Sequence, residues 1–83
     1  MRTGRIHFAR IDHSPRLQRM LAFLRERGRE GATGLEIARG CDVLNPATYC
    51  SELRSNGIAV ECRYERATDS GQRVFRYFLG EHV

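Results

Sequence analysis

The chain has 83 residues, enough for one hydrophobic core and too few for two, which excludes a multidomain enzyme. Hydrophobic residues make up 41% and charged residues 29%, a globular mixture, and no stretch approaches the roughly 20 apolar residues of a membrane span. The net charge is +4, and the opening Met1-Arg2-Thr3-Gly4-Arg5-Ile6-His7 runs into charge rather than into the apolar run of a secretory signal, so a cytoplasmic site of action is expected.

In chain order, Ile6-His7-Phe8-Ala9-Arg10-Ile11 reads as a strand, paired with a later hairpin or with a second copy of the chain, or else as part of a loosely held arm over residues 1–13. Ser14-Pro15 predicts a helix start: the serine caps free backbone N–H groups, and proline stands where its missing N–H costs nothing. Leu17, Met20, Leu21 and Leu24 then form one apolar stripe over a helix at 15–27, stopped by Gly28. The stretch Gly28-Arg29-Glu30-Gly31-Ala32 reads as a joint. Its Gly28-x-x-Gly31-x-x-Gly34 spacing lacks the Lys-Ser/Thr and the preceding strand of a phosphate cradle.

Thr33 is placed to cap a short second helix containing Leu35, Ile37 and Ala38, with Gly40 as its end. After the connection Cys41-Asp42-Val43-Leu44, Asn45-Pro46 repeats the cap-plus-proline signal and opens a third helix. It runs over 46–56, with Ala47, Cys50 and Leu53 inward and Gly57 as the stop. From Ile58 the period becomes two. Ile58, Val60, Cys62 and Tyr64 point to one side, and Ala59, Glu61, Arg63 and Glu65 to the other. A turn by composition over 67–72 and an aromatic, β-branched run from Arg73 to Leu79 complete a hairpin.

These parts carry a resemblance. Thr33-Gly34-Leu35-Glu36-Ile37-Ala38, Gly40, Asn45-Pro46-Ala47, Ser51-Glu52-Leu53-Arg54 and Gly57-Ile58 look like a winged helix-turn-helix family common in phage and prophage genomes, over residues 14–79. The resemblance implies an α+β fold: three helices plus a C-terminal β-hairpin wing in a domain at 14–83, with residues 1–13 as an arm or an added strand. It also implies sequence-specific binding of double-stranded DNA. Helix three would lie in the major groove, and residues 66–73 would form the wing tip at the backbone or minor groove.

Charge is unevenly spread. Residues 1–30 carry eight arginines against three acids, and residues 31–62 carry two against four. All fourteen basic residues are arginine, which a GC-rich genome explains more readily than a demand for bidentate phosphate contacts. On a helical wheel, helix three turns Thr48, Ser51, Glu52, Ser55 and Asn56 outward with Tyr49 and Arg54 on the flanks, so the only charge on the reading face is that of Glu52. The candidate nucleic-acid contacts are therefore Thr48, Tyr49, Ser51, Arg54, Ser55 and Asn56 on the reader and Thr33 and Arg39 on helix two. Arg66 and Arg73 of the wing and Arg2 and Arg5 of the arm complete the set.

Cys41, Cys50 and Cys62 lack metal-site spacing and read as free thiols, with Cys50 and Cys62 buried on apolar faces. No histidine stands beside a cysteine, and Ser14, next to His13, reads as a helix cap, so catalysis, a cofactor, a metal and a small-molecule substrate are not expected. The leading expectation is a phage- or prophage-encoded regulator of transcription or accessory of DNA rearrangement, acting as a homodimer. The alternative is a winged-helix protein-interaction module with a host protein partner, such as an inhibitor of a CRISPR-type defence complex, which the acidic middle of the chain favours.

Overall fold

The computed structural model describes residues 10–80. Helix α1 spans Pro15–Arg27, and its cap is the expected one: the Ser14 side chain accepts from the Leu17 N–H, with proline in the first turn. Its stripe of Leu17, Met20, Leu21 and Leu24 is buried. Helix α2 spans Gly34–Cys41 and opens on a reciprocal capping box, in which Thr33 Oγ1 accepts from Glu36 N and Glu36 Oε1 accepts from Thr33 N. Helix α3 spans Pro46–Ser55, with Asn45 accepting from Thr48 N at its start.

Gly40 does not end α2. The helix continues one residue to Cys41, and Asp42, left-handed at φ 57°, makes the stop. Asp is among the few residues that accept this conformation locally.

Among the described residues the sheet has three strands in the order β1-β3-β2, with β1 at Ala32–Thr33, β2 at Val60–Ala67 and β3 at Arg73–Leu79. The hairpin registers Val60 opposite Leu79, Cys62 opposite Tyr77 and Tyr64 opposite Phe75, with a bulge between Tyr64 and Arg66. A strand not expected from the sequence begins at the end of the supposed joint: Ala32 pairs with Tyr77 and Thr33 with Arg76. Of the expected strand at 6–11, residues 6–9 lie outside the described residues, and Ile11 begins a 3-10 turn, Ile11–His13.

Gly31 makes the β1–β3 pairing possible. It sits at φ 61°, ψ −158°, a region essentially reserved for glycine. A Cβ there would collide with the Tyr77 carbonyl and lie 2.6 Å from the Phe78 ring.

The core gathers Leu17, Met20 and Leu24 of α1, Ile37 and Cys41 of α2, Cys50 and Leu53 of α3, and Val60, Tyr77 and Leu79 of the sheet. Ala47, expected inward, is exposed, and α3 meets the core through Tyr49, Cys50 and Leu53 instead. The hairpin outruns the helices, so Val60 is buried while Cys62 and Tyr64 on the same side are exposed, Tyr64 at 56%. That corrects the expectation of a buried Cys62.

The outer side of the sheet is closed by charge. Arg76 is hydrogen-bonded to Glu65 through Nε and to the Glu30 carbonyl at 3.1 Å, and pairs with Glu36 at 3.8 Å. Arg63 stacks 5.0 Å above the Phe78 ring.

Candidate nucleic-acid interface

The exposed side of α3 presents Ala47, Thr48, Ser51 and Ser55, with Leu44 directly ahead of the cap. Within the helix Ala47, Thr48, Ser51 and Ser55 recur every three or four residues and so share one face. Leu44 is fully exposed. An apolar residue before a helix cap commonly packs on the first turn, where Tyr49 stands; here Tyr49 packs half-buried against the core, and Leu44 is left in solvent.

Two hollows flank this ridge. One, of about 440 Å³, lies between α2, the turn into α3 and the wing, and brings together Thr33, Leu44, Arg66 and Arg73 with Leu35 and Phe75. The other, of about 280 Å³, lies toward the start of α1 and is lined by Arg16, Leu44, Thr48, Tyr49, Asp42 and Glu52. Leu44 lines both and stands on the crest between them.

Three reader-helix residues have local duties that a helical wheel does not reveal. Asn56, expected on the outer face, is half-buried at the C-cap. Its Oδ1 accepts from Ile11 N at 3.0 Å and its Nδ2 donates to Glu52 O at 2.7 Å, tying the start of the described chain to the end of α3. The Arg54 Nε–H donates to the Val60 carbonyl at 2.9 Å, clamping α3 to β2. Glu52, also expected outward, has a buried Oε1 with no hydrogen-bond partner.

Thr48, Ser51 and Ser55 are exposed as expected. Thr33 keeps its capping role at the mouth of the wing-side hollow. Arg39 is exposed on the last turn of α2 and lines neither hollow. Arg2 and Arg5 lie outside the described residues. Sequence reasoning missed Leu44, whose signal was an apolar side chain in a turn with no partner at helical spacing.

Burial dominates the thiol chemistry. It pushes Cys50 up to about 12 against the opposing pull of Arg54, and it raises Cys41 against Arg19. Burial likewise pushes the Tyr77 hydroxyl up to about 12, assisted by Cys62 and Cys50. These groups are neutral core members rather than nucleophiles. Among the described residues, no three His, Cys, Asp or Glu gather to hold a metal, and no helix is long and apolar enough to cross a membrane.

Three helices followed by a hairpin that closes a small antiparallel sheet and projects past α3 define a winged helix-turn-helix protein. The chain belongs to the winged helix-turn-helix domain family, whose model matches residues 16–82. No curated protein and no solved structure matches it.

Proposed function

We propose that the protein binds double-stranded DNA, with α3 in the major groove and the wing against the adjoining backbone or minor groove. One observation carries this reading: Arg66 and Arg73 of the wing line a single hollow together with Thr33 and the turn into α3. Family membership supports it. Phosphate attraction supplies most of the affinity that does not depend on sequence, and α3 itself contributes only Arg54, already tied to β2. That attraction falls to Arg66, Arg73, Arg16 and Arg39, with Arg2 and Arg5 ahead of them in the chain. The Thr33 hydroxyl accepts in the capping box and keeps its hydrogen to donate to a phosphate. Thr48, Ser51 and Ser55 meet bases or sugar–phosphate.

In the cell this makes the protein a regulator of transcription or an accessory of DNA rearrangement of phage or prophage origin, working in the cytoplasm. A homodimer supplies the surface that one small module lacks. The exposed Leu35 and Leu44 favour a second reading, a protein-interaction module such as an inhibitor of a CRISPR-type host complex. Fluorescence anisotropy against random duplex DNA at ~50 and ~200 mM salt decides between them. Binding that falls about a hundredfold over that range, as about four phosphate contacts require, supports DNA. No binding at either salt refutes it and leaves the protein partner.

A further inference from the structure

The reader face is poor in the side chains that distinguish bases by paired hydrogen bonds. Guanine is read by a forked arginine or by lysine, and adenine by asparagine or glutamine. On α3 the Arg54 guanidinium is anchored through Nε to the Val60 carbonyl in the last turn, away from Leu44, Asn56 is held by Ile11 N and the Glu52 carbonyl, and Oε1 of Glu52 is buried. Asn45 is occupied at the cap by Thr48 N. The first turn instead offers Leu44, the Ala47 methyl and the Thr48 methyl, all exposed.

Leu44 forms a crest with Arg66 and Arg73 in the hollow on the wing side, while the hollow on the other side sets Arg16 beside Asp42 and Glu52. A major groove has base edges along its floor and anionic phosphates on its rims, and the wing arginines face one such rim. The one apolar group on that floor is the C5-methyl of thymine.

We propose that Leu44, with Ala47 and Thr48 beside it, reads thymine methyl groups, so that the centre of the bound site is rich in A·T pairs. This rests on the DNA-binding reading and adds its base chemistry. The wing arginines select the occupant: an apolar partner protein gains nothing from Arg66 and Arg73 beside Leu44, whereas a duplex meets them with phosphate.

The test begins with selection of bound sites from a random duplex library by the full chain, followed by replacement of each central thymine with deoxyuracil, which lacks only the methyl. Each replaced contact should weaken binding about fourfold, the ratio set by burying one methyl-sized group. The Leu44→Ala variant removes a side chain already in solvent, so it should fold normally, as circular dichroism can verify. It should bind the selected site about tenfold more weakly and lose its sensitivity to deoxyuracil at the thymine that Leu44 covers, keeping that of Ala47 and Thr48. A selected G·C centre, equal binding of all duplexes, indifference of the wild-type protein to deoxyuracil, or unchanged sensitivity in Leu44→Ala overturns methyl reading and leaves DNA binding standing. Failure to bind any duplex overturns both.

Discussion

Asn56 offers a sharp separation between building the fold and reading DNA. Its side chain joins the Ile11 N–H at 3.0 Å to the Glu52 carbonyl at 2.7 Å, across a sequence gap of 45 residues for the first bond. Each such bond contributes about 1 kcal/mol net, so Asn56→Ala should cost about 2 kcal/mol. The Ile11 bond carries the larger share, because the Glu52 carbonyl also accepts from Asn56's own backbone N–H at 3.1 Å and is not left bare. For a domain of this size the loss lowers the melting midpoint by about 8 to 16 °C. Asn56→Asp keeps the acceptor for Ile11 but sets a carboxylate oxygen against the Glu52 carbonyl at the negative end of the helix, and should recover little of the deficit. Thermal denaturation by circular dichroism measures both, and duplex affinity of the alanine variant well below its melting range should be unchanged. An alanine variant that melts with the wild type but binds DNA weakly would refute the structural role and restore Asn56 to the reading face.

Arg73→Ala should weaken binding to all duplexes alike and flatten the logarithmic salt dependence by about one unit, while Ser51→Ala should instead relax base preference; anisotropy titrations on matched and scrambled sites distinguish the two. Gly31→Ala should destabilise by about 2 to 5 kcal/mol, because a Cβ there meets a backbone carbonyl that cannot swing aside. Gly57→Ala, also at positive φ but with nothing within 4 Å of the added carbon, should cost less in urea denaturation; equal costs would refute the steric account. The hydrogen bond from Arg76 holds the Glu65 carboxyl below its usual range. The stabilisation from Glu65 is therefore present above the ordinary carboxylate pKa and is lost as pH falls through the depressed one. The melting difference between wild type and Glu65→Gln should be seen at neutral pH and vanish in acid, and a constant difference would refute the coupling.

Much of the fold is local chemistry and was legible as such. Ser14-Pro15 and Asn45-Pro46 each couple a capping side chain to a residue that tolerates the first turn, and the period of two from Ile58 is a backbone alternation that needs no partner to be recognised. What escaped depends on neighbours distant in sequence. The strand Ala32–Thr33 is too short for any periodicity and exists because β3 passes beside it. Alternation assigned Cys62 and Tyr64 to the correct side of the sheet, but only the reach of the helices determines whether that side is covered. A wheel likewise gives Glu52 and Asn56 an angle on α3 without the segment around Ile11 that turns Asn56 into an anchor. The candidate interface was thus legible in its elements, while the crest of Leu44 emerged only once α3 and the wing were assembled around it.

The sheet order has a consequence for solubility. β1 covers β3 only at Arg76 and Tyr77, and among the described residues β2 presents an unpaired edge, whose N–H and C=O groups would accept another chain's strand. That edge alternates acid and base through Glu61, Arg63, Glu65 and Arg66, and the bulge after Tyr64 breaks its straightness. An incoming strand would have to desolvate these charges and match a bulged ladder, which disfavours edge-to-edge pairing of the hairpin. Exchanging Arg63 and Glu65 for valine would remove that protection and turn the wing into an aggregation site.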